Sequence, residues 1–535
     1  MWVENVVERK CQGLKRTKIV IISSMFAAMV LTTPMNFGFA AEKQPVSPVE
    51  PQVRMITMIM EEPNFSDNGA YHELEEGLYT KPLMKNNAVL APLKDIMETI
   101  GGNFEWSEKE NKIILELNNN KVTLFVGQKK AIVNGKDKVS EIAPEIIEGR
   151  LFLPVKFAME NLGCLYRWDN KRTMVYVIAN VTPKGDNLPL ERGGKFTIAN
   201  MVDQPKEWYG TAQAQKVADV ILGYQNSDGG WIKLAPNVNV TKPIVGVGEL
   251  NAGTRKSTID NDSTSMQIRL LGKVYSETKI EKYRTGFYKG LDYLLNGQLE
   301  NGGWQQFFPV ATGYQKLITI NDDAIANVLD LMRDIENREE GLAFVDEKHI
   351  AQSKTAYNKG LNMLLNTQII VNGKKTAWCQ QYAPDTLEPV MGRSFELASL
   401  SSQESTKVVR FLMSIDNPSP EVIDAVQSTV SWLDSVKING IKVQEKKDPT
   451  TDSGLDRTIV NDPNASPLWT RFYEIESNKP LFANRDSSKK YSYWEVTTER
   501  RTKYNWFSKE PLKLLTEEYP IWQKKWTPEN NVLGK

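Results

Sequence analysis

Two short segments of the chain contain more acidic and amide side chains than a helix start needs. They are TIDNDST, which contains Asp260 and Asn261, and TINDDA, which contains Asp322. One interpretation is N-capping, because Asp and Asn side chains accept hydrogen bonds from the free N–H groups at the start of a helix. A cap requires one acceptor, and each segment offers several. If the fold brings both segments together, Asp260, Asn261 and Asp322 would form a cluster of oxygen ligands suited to Ca²⁺.

Three arginines occur near aromatic residues in the C-terminal half of the chain. Arg393 occurs in MGRSFE, Arg471 in WTRFYE and Arg485 in LFANRD. Each of them alone is typical of a surface or helix-end position. Together they indicate a site for planar carboxylates and sugar faces, because a guanidinium binds a carboxylate through two parallel hydrogen bonds and stacks on aromatic rings.

A sequence repeat predicts the elements that position these acidic and arginine side chains. Trp231, Trp304 and Trp378 are 73 and 74 residues apart, and each follows a Gln and a turn rich in Gly or Asn. A period of this size corresponds to one helix pair with its connecting loop. We expect the tryptophans to be core residues of the turns. The alternative is that they are platforms on which sugars stack.

The elements that carry the repeat are amphipathic helices. Apolar residues at three- and four-residue spacing predict helices over 212–225, 263–277, 281–298, 322–335, 350–368 and 421–436. Helix pairs that repeat at this period, with their loops at one end, predict a mainly α catalytic part over residues 183–535, folded as an incomplete α/α toroid. Its ligand groove would lie where the turns after each Trp converge.

Composition excludes several classes of function. A chain of 535 residues with 41% hydrophobic and 25% charged residues is an ordinary soluble protein of two or three domains. Its formal net charge of zero gives no support to nucleic-acid binding. Only two histidines are present, which argues against histidine metal sites and Ser-His-Asp triads, and three cysteines exclude a disulfide scaffold. We expect a monomer.

The N-terminus predicts export. Basic residues precede the apolar run Ile19 to Leu31, and Gly38-Phe39-Ala40 precedes Ala41. This pattern is typical of a signal peptide over 1–40, and an uncleaved anchor is the alternative. Residues 41–77 contain Pro and Glu with little periodicity, which we interpret as a linker. The protein is therefore expected to be secreted, extracellular or associated with the cell surface.

Residues 78–182 predict a small α+β module. Two strand-helix-strand units, Val89 to Leu115 and Leu151 to Val177, flank strands joined at Asn-Asn-Asn and Asn-Gly. The segment resembles the copper amine oxidase N-terminal-like domain of many secreted bacterial proteins. It has no histidine and one cysteine, so it lacks a ligand set for copper. We expect it to associate with a cell wall or surface polymer.

The remaining motifs resemble one enzyme family. GYQNSDGGW, TIDNDST, NGGWQQFFP, NDDA, AWCQQY, MGRSFELASLSS and WTRFYE followed by NRD occur in this order between Ile198 and Trp526. Their order and spacing are similar to those of pectate lyases of the tenth polysaccharide lyase family. The resemblance implies an α/α toroid that cleaves polygalacturonate or pectin by calcium-assisted β-elimination, giving 4,5-unsaturated oligogalacturonides.

The resemblance also implies roles for individual residues. Asp260, Asn261 and Asp322 would lie around calcium, with Asp260 catalytic and Asn261 contacting substrate. Arg393 would be the base, and Arg471 with Arg485 would hold uronate carboxylates. Asp262 stands at a position where the family tolerates several residues, and we leave it out.

The base is the difficult step, because the pKa of free arginine is above ~12. A ring of positive charges would lower the pKa of Arg393, and the alternative bases are a lysine or a tyrosine such as Tyr382. Two other functions remain open. A toroidal glycoside hydrolase would use Asp260 and Asp322 as acid and base, and a surface protein would bind polysaccharide without cleaving it.

Overall fold

The computed structural model describes residues 52–170, 172–181, 196–235, 238–244, 256–451 and 454–533. The signal peptide predicted over 1–40 and the boundary predicted between residues 182 and 183 lie outside them. The described residues belong to one compact unit, Glu50–Lys535. Within them, no helix combines the length and the apolar content that crossing a bilayer requires.

Alternating apolar residues and tight turns make the N-terminal region rich in β-strands. Its strands are β1 Gln52–Ile59, β2 Asn64–Asp67, β3 Ala70–Glu73, β4 Leu83–Lys85, β5 Ala88–Ala91, β6 Asn103–Ser107, β7 Lys112–Leu117, β8 Asn120–Phe125, β9 Gln128–Val133, β10 Lys136–Val139, β11 Glu145–Ile147, β12 Arg150–Pro154, β13 Leu165–Asp169 and β14 Met174–Val181. Two short helices accompany them, α1 Lys94–Thr99 and α2 Val155–Asn161.

These strands form three antiparallel sheets, in the orders β13-β14-β1-β2-β3, β10-β9-β8-β7-β6 and β11-β12-β5-β4. Both predicted strand-helix-strand units are present, as β5-α1-β6 and β12-α2-β13, and their first strands pair through Leu153 and Ala91. The hairpin between β9 and β10 turns at Asn134 and Gly135 with φ angles of 49° and 79°. Positive φ at both residues is what the Asn-Gly signal predicts.

The prediction of a linker over 41–77 is wrong for residues 52–73, which form β1, β2 and β3. β1 pairs with β14 from Gln52 to Ile59, and Ile56 and Met58 are fully buried. The segment completes a sheet whose other strands come from the end of the module. Its apolar alternation is short and lies next to Pro- and Glu-containing sequence, which concealed the strand.

The remainder of the chain is mainly helical. Its helices are α3 Ile198–Val202, α4 Ala212–Gly223, α5 Ser265–Thr278, α6 Glu281–Asn296, α7 Ala324–Glu336, α8 Glu347–Thr367, α9 Ser402–Met413, α10 Pro420–Ser435, α11 Thr498–Lys503, α12 Glu510–Lys513 and α13 Tyr519–Trp526. All six predicted helices are confirmed within a few residues at each end, and α9 was not predicted.

Short strands connect the helices of this part. They are β15 Ile318–Thr319, β16 Ile370–Val371, β17 Lys374–Lys375, β18 Gln381–Tyr382, β19 Leu400–Ser401, β20 Ile441–Lys447, β21 Leu455–Asn461, β22 Trp469–Thr470, β23 Phe472–Tyr473, β24 Pro480–Ala483, β25 Lys489–Lys490 and β26 Phe507–Ser508. β19, β23, β24 and β25 form one sheet in that order.

The helices form two successions of contacts. Helices α5, α7 and α9 contact one another in succession, and so do α4, α6, α8 and α10. Consecutive helices α5 and α6, α7 and α8, and α9 and α10 pack as pairs. Their apolar faces form one continuous core, so the loops that connect the helices are held at defined positions.

The repeat tryptophans fix the turns at one end of these helices. Each is fully buried, so the alternative that they are sugar-stacking platforms is wrong. Their indole N–H groups donate to a carbonyl near the end of the preceding helix, Trp231 to Ile221 at 2.8 Å, Trp304 to Leu294 at 2.8 Å and Trp378 to Leu364 at 2.7 Å. Trp469 makes the same contact with Leu433 at 2.7 Å, a fourth copy that the spacing did not reveal.

The repeat glutamines link each turn to the next helix pair. Their Nε2 atoms donate both to the local turn and to a helix carbonyl, Gln225 to Gly229 and Gly286, Gln298 to Gly302 and Ala356, and Gln368 to Thr376 and Ala425. These six bonds are 2.8–3.2 Å long. An amide that bonds to two repeats at once fixes their spacing, and with it the position of the loops that follow each tryptophan.

Candidate active site

The two acidic segments adopt the same backbone conformation. Each forms a short 3₁₀ turn, Asp260–Asp262 before α5 and Asn321–Asp323 before α7. The second and third residues of both turns are left-handed, with φ of 48° and 60° in the first turn and 52° and 60° in the second. Each non-glycine residue held in this region costs about 1–3 kcal/mol, so a strained conformation is built twice from different sequences.

The turns do not act as helix caps. No side chain of either turn caps α5 or α7, whose N-cap positions have no side-chain hydrogen bond within the described structure. The N-capping interpretation of these segments is therefore wrong. The two turns instead contact each other, as a shared ligand site requires.

Asp260 and Asp322 are the carboxylates that the turns bring together. Asp260 is 5% exposed, and its Oδ2 accepts a hydrogen bond from Lys233 Nζ at 2.6 Å. Its Oδ1 is buried and has no hydrogen-bond partner among the described residues. Burial raises the pKa of Asp322, and the negative charge of Asp260 raises it further. Asn261 directly follows Asp260 in the first turn and is exposed.

This pair fits the predicted calcium ligand set. A buried carboxylate oxygen without a partner and two carboxylates that repel each other are both stabilised by a hard cation. Among the described residues no group of three or more His, Cys, Asp or Glu side chains forms a metal site. Asp260 and Asp322 supply two carboxylates and Asn261 an amide, so water or a substrate carboxylate would have to complete the coordination.

The third residues of the turns face a different space. Asp262 and Asp323 line a cavity of about 520 Å³ together with basic residues of α7 and α9. Asp262 accepts from Asn327 Nδ2, and Asp323 pairs with Lys407 at 2.7 Å. Burial and the charge of Asp323 raise the pKa of Asp262 to about 6. Asp262 was left out of the predicted site, and that choice stays a prediction.

A buried polar network joins the second turn to the arginine segment. Nη2 of Arg471 donates to Asn321 Oδ1 at 3.1 Å and also to Glu404. Gln380 Nε2 donates to the same two acceptors at 3.1 Å each. Burial opposes the charge of Glu404, but Arg471 and its other donors keep its pKa below the ordinary value. Glu404 and Gln380 were not predicted, although Gln380 lies in the motif AWCQQY.

Arg393 is held by a carboxylate three residues later. Its Nε donates to Glu396 Oε2 at 2.7 Å, and its Nη2 donates to Glu396 Oε1. Burial lowers the pKa of Arg393, but the hydrogen bonds and charge of Glu396 outweigh it and leave the pKa above its ordinary value. The expectation that positive charges lower this pKa is therefore wrong, because the charged group in contact with Arg393 is an anion.

Aromatic rings separate the three arginines. The guanidinium of Arg471 lies 5.1 Å and that of Arg393 lies 5.6 Å from the Tyr504 ring. Those of Arg393 and Arg485 lie 5.0 Å and 5.6 Å from the Phe395 ring. The predicted interleaving of arginine and aromatic residues is confirmed. Phe395 belongs to the motif MGRSFE that contains Arg393, whereas Tyr504 lies in a segment that was not predicted to contribute.

Arg485 is the most exposed of the three arginines. Its side chain is 62% exposed and pairs with Glu499 at 2.9 Å. Glu499 also accepts hydrogen bonds from Arg500, whose guanidinium lies 4.3 Å from the Phe395 ring. Two arginines share one carboxylate, so this end of the site retains a positive charge that suits an acidic ligand.

The tyrosine named as an alternative base is unsuitable. Tyr382 is fully buried, and its hydroxyl donates to Thr367 O at 2.9 Å. Burial holds the pKa of Tyr382 well above its ordinary value. Tyr314 is a better-placed tyrosine that was not predicted. Burial raises the pKa of Tyr314, and the charges of Arg393, Glu396 and Asp260 also act on it, which places it between the two halves of the site.

Comparison with known proteins agrees with this geometry. Residues 225–515 match the family model described as pectic acid lyase, and residues 74–177 match the copper amine oxidase N-terminal domain. None of the curated proteins compared with the chain matches it.

Two solved structures are similar to this chain. A family 10 polysaccharide lyase from Cellvibrio cellulosa is 30% identical, with a TM-score of 0.51 over 61% of this chain and 94% of that one. An aspartate-to-alanine mutant of a family 10 lyase from the same organism, in complex with trigalacturonic acid, is also 30% identical. Its TM-score is 0.50 over 61% of this chain and 98% of that one.

Proposed function

Because the chain belongs to the pectic acid lyase family and is a pectate lyase, we propose that it cleaves polygalacturonate by a calcium-assisted β-elimination. The products are 4,5-unsaturated oligogalacturonides. One observation carries the proposal. Arg471 lies 3.1 Å from Asn321, the residue before Asp322, and shares the Tyr504 ring with Arg393, so carboxylates and arginines form one site. The complex of a similar lyase with trigalacturonic acid supports this substrate class.

The arginines divide the work of binding and proton transfer. Arg471 and Arg485 would hold uronate carboxylates, Arg485 from the exposed end of the site. Arg393 would remove the proton from C5 of the uronate, whose acidity rises when the neighbouring carboxylate is neutralised. Bound by Asp260, Asn261 and Asp322, calcium would supply part of that neutralisation. The base must be neutral to act, and the raised pKa of Arg393 therefore predicts activity at alkaline pH.

Asp260 has a further part in this scheme. It pairs with Lys233 at 2.6 Å, and this contact would fix the orientation of its carboxylate toward the metal. A toroidal hydrolase would use Asp260 and Asp322 as acid and base, so the chemical form of the product separates the two reactions.

We also infer the wider architecture and location. The two successions of helices, with loops held at one end by the repeat tryptophans, support an incomplete α/α toroid whose groove runs across those loops. The basic and apolar N-terminal pattern supports secretion. The N-terminal module would associate with a wall or surface polymer, since it lacks histidine and therefore a copper ligand set.

One experiment tests the activity. Incubation with polygalacturonate should produce the ultraviolet absorbance of a 4,5-unsaturated uronide, which hydrolysis cannot produce because it forms no double bond. Reducing ends without that absorbance would identify a hydrolase. Binding to polygalacturonate without any product would identify a binding protein.

A further inference from the structure

Both carboxylate oxygens of Glu396 accept hydrogen bonds, and the donors belong to two residues. It is 5% exposed, and its Oε2 accepts from the backbone N–H of Arg393 at 3.1 Å and from Nε at 2.7 Å. Its Oε1 accepts from Arg393 Nη2 and from the Tyr504 hydroxyl at 2.7 Å. Four donors at one buried carboxylate fix both its position and the plane of the guanidinium that it holds.

This arrangement selects one nitrogen of Arg393. Nε and Nη2 are bound to Glu396, whereas Nη1 makes no hydrogen bond within the part of the chain that the structure describes. The Arg393 side chain is 43% exposed, so Nη1 is the nitrogen available to a ligand. We propose that Glu396, itself fixed by Tyr504, is the positioning residue that presents Nη1 of Arg393 to the C5 proton of the substrate. The inference rests on the proposed function.

The charge that develops on Arg393 during the elimination explains why a carboxylate would contact the base. Neutral Arg393 takes the C5 proton at Nη1, the electron pair of the C5–H bond forms the C4=C5 double bond, and the C4–O4 bond breaks. O4 leaves with its electron pair and takes a proton from water. The guanidinium becomes positive as the proton moves, so Glu396 stabilises charge that develops in the transition state.

In the free enzyme Glu396 also has an unfavourable effect on the base. It stabilises the charged guanidinium, so the neutral form of Arg393 is scarce at ordinary pH. The other groups whose charges act on Arg393 are Tyr504 and Tyr314, together with Arg485. Since both tyrosines are neutral below their raised pKa values, Glu396 is the anion that sets this balance. A purely structural residue would not influence it.

Glu396→Gln separates positioning from folding. The amide keeps the size of the side chain but loses an acceptor and the charge. We expect kcat extrapolated to its alkaline plateau to fall roughly 100-fold, the scale of a misplaced acid or base, with KM within about threefold because ground-state binding is unchanged. Loss of the negative charge of Glu396 should lower the pKa of Arg393, so the alkaline rise of kcat should reach its plateau at lower pH than in the parent. Tyr504→Phe should lower kcat in the same direction by less.

Asp456→Asn is the matched control. Asp456 holds Arg501 through the same two-bond geometry, with Nε at 2.9 Å and Nη2 at 2.6 Å, away from the proposed base. Its loss should leave the pH profile of kcat unchanged. Chemical rescue gives an independent readout that does not need Glu396→Gln alone to fold well. Guanidinium ion added to Arg393→Ala should restore turnover, because Glu396 holds it in place, and should restore none in Arg393→Ala/Glu396→Gln.

The outcomes are distinguishable. A parent enzyme that releases no unsaturated product refutes the proposed function. With an active parent, a Glu396→Gln enzyme with unchanged kcat and pH profile overturns the positioning role. Equal rescue by guanidinium in the single and double variants overturns it as well.

Discussion

Nη2 of Arg471 donates a 3.1 Å hydrogen bond to Oδ1 of Asn321, although 150 residues separate them in the chain. Asn321 belongs to the turn that presents Asp322, and Arg471 belongs to the sheet segment that also carries Phe472. The contact therefore joins the acidic half of the site to its arginine half. Glu404 lies behind both, 1% exposed, and accepts from Arg471.

We expect Glu404→Gln to destabilise the fold strongly. Removing one partner of a buried pair leaves Arg471 as an uncompensated charge, which costs about 3–5 kcal/mol. Chemical denaturation measures the loss. Glu347, whose side chain is 85% exposed in its pair with Arg338, provides the control. Glu347→Gln should leave the midpoint unchanged, and equal losses in the two variants would contradict the role assigned to burial.

The same pair predicts a pH dependence. The pKa of Glu404 is lowered in the folded protein, so its contribution to stability is present above the ordinary pKa of about 4.5 and is lost as pH falls through the lower folded value. Glu404→Gln should therefore reduce the acid-induced loss of stability, relative to the parent, in that window. Denaturation midpoints of the parent and of Glu404→Gln, measured from about pH 6 to about pH 3 so that they span this titration, would check the prediction.

Two glycines with positive φ should respond differently to substitution by alanine, Gly302 in a Gly-Gly-Trp turn and Gly373 in the turn between β16 and β17. Gly302 has φ of +95°, and a Cβ there would lie 2.2 Å from the carbonyl oxygen of Lys359. Gly373 also has positive φ, but a Cβ there would meet nothing within 4 Å. Gly373→Ala should cost about 1 kcal/mol from backbone strain alone. Gly302→Ala should cost several times more, because two helix pairs must move apart, and similar unfolding midpoints would contradict this reading.

Periodicity predicted the helices and tryptophan turns well, because both depend on local spacing. It could not predict that Trp469 is a fourth repeat, since the β20–β21 hairpin lies between its preceding helix and the tryptophan. It also missed Tyr504 and Glu396, whose roles depend on contacts 108 residues apart. The strand Gln52–Ile59 was missed for a related reason, because its partner β14 lies more than a hundred residues further along.

The acidic turns show what a motif can and cannot predict. Asp260 and Asp322 could be identified as a pair because two similar segments recur in the repeat. The lack of capping bonds and the pairing of Asp260 with Lys233 could not be predicted in the same way. Asn and Asp tolerate the left-handed region, but this tolerance does not predict two consecutive left-handed residues in each turn. The sign of the pKa shift on Arg393 was wrong because Glu396, three residues away, was not considered.

Metal dependence follows from the carboxylate pair. Chelation should abolish cleavage of polygalacturonate, and added Ca²⁺ should restore it. Calcium should also raise the unfolding midpoint, since a ligand that binds only the folded state stabilises it. Asp322→Ala should lose both effects. Full activity after exhaustive chelation, or an equal calcium-induced shift in Asp322→Ala, would refute the ligand assignment.

The N-terminal module predicts a separation of stability from turnover. Its Ser66 accepts from Gln204 at 3.2 Å, and its Glu61 pairs with Lys513 at 2.9 Å. Gly69 packs closely against Met201, where an added Cβ would lie 2.3 Å from its Cε. A chain starting near Thr182 should therefore unfold at lower temperature. It should still retain turnover on soluble substrate, because no site residue comes from the module. A folded chain without activity would show that the module shapes the site.

Arg393→Lys tests the base itself. Lysine keeps the positive charge and can still pair with Glu396, but it offers one nitrogen and no planar fork. If Nη1 of Arg393 removes the C5 proton, turnover should fall by roughly three orders of magnitude or more, with substrate affinity little changed, because the interaction is used in the transition state. A role limited to electrostatic attraction would be largely preserved by lysine.

The pH profile makes the Arg393→Lys test decisive. Parent activity should rise into alkaline pH, since the pKa of Arg393 is held above its ordinary value and only the neutral form accepts a proton. A lysine base would titrate at lower pH, so any residual activity should level off earlier than in the parent. Arg485→Lys serves as the control and should raise KM without moving the profile. Turnover of Arg393→Lys within about tenfold of the parent, a difference of ~1.4 kcal/mol, together with an unchanged profile, would refute the assignment. It would direct attention to Tyr314, the exposed tyrosine on which the charges of Arg393 and Asp260 both act.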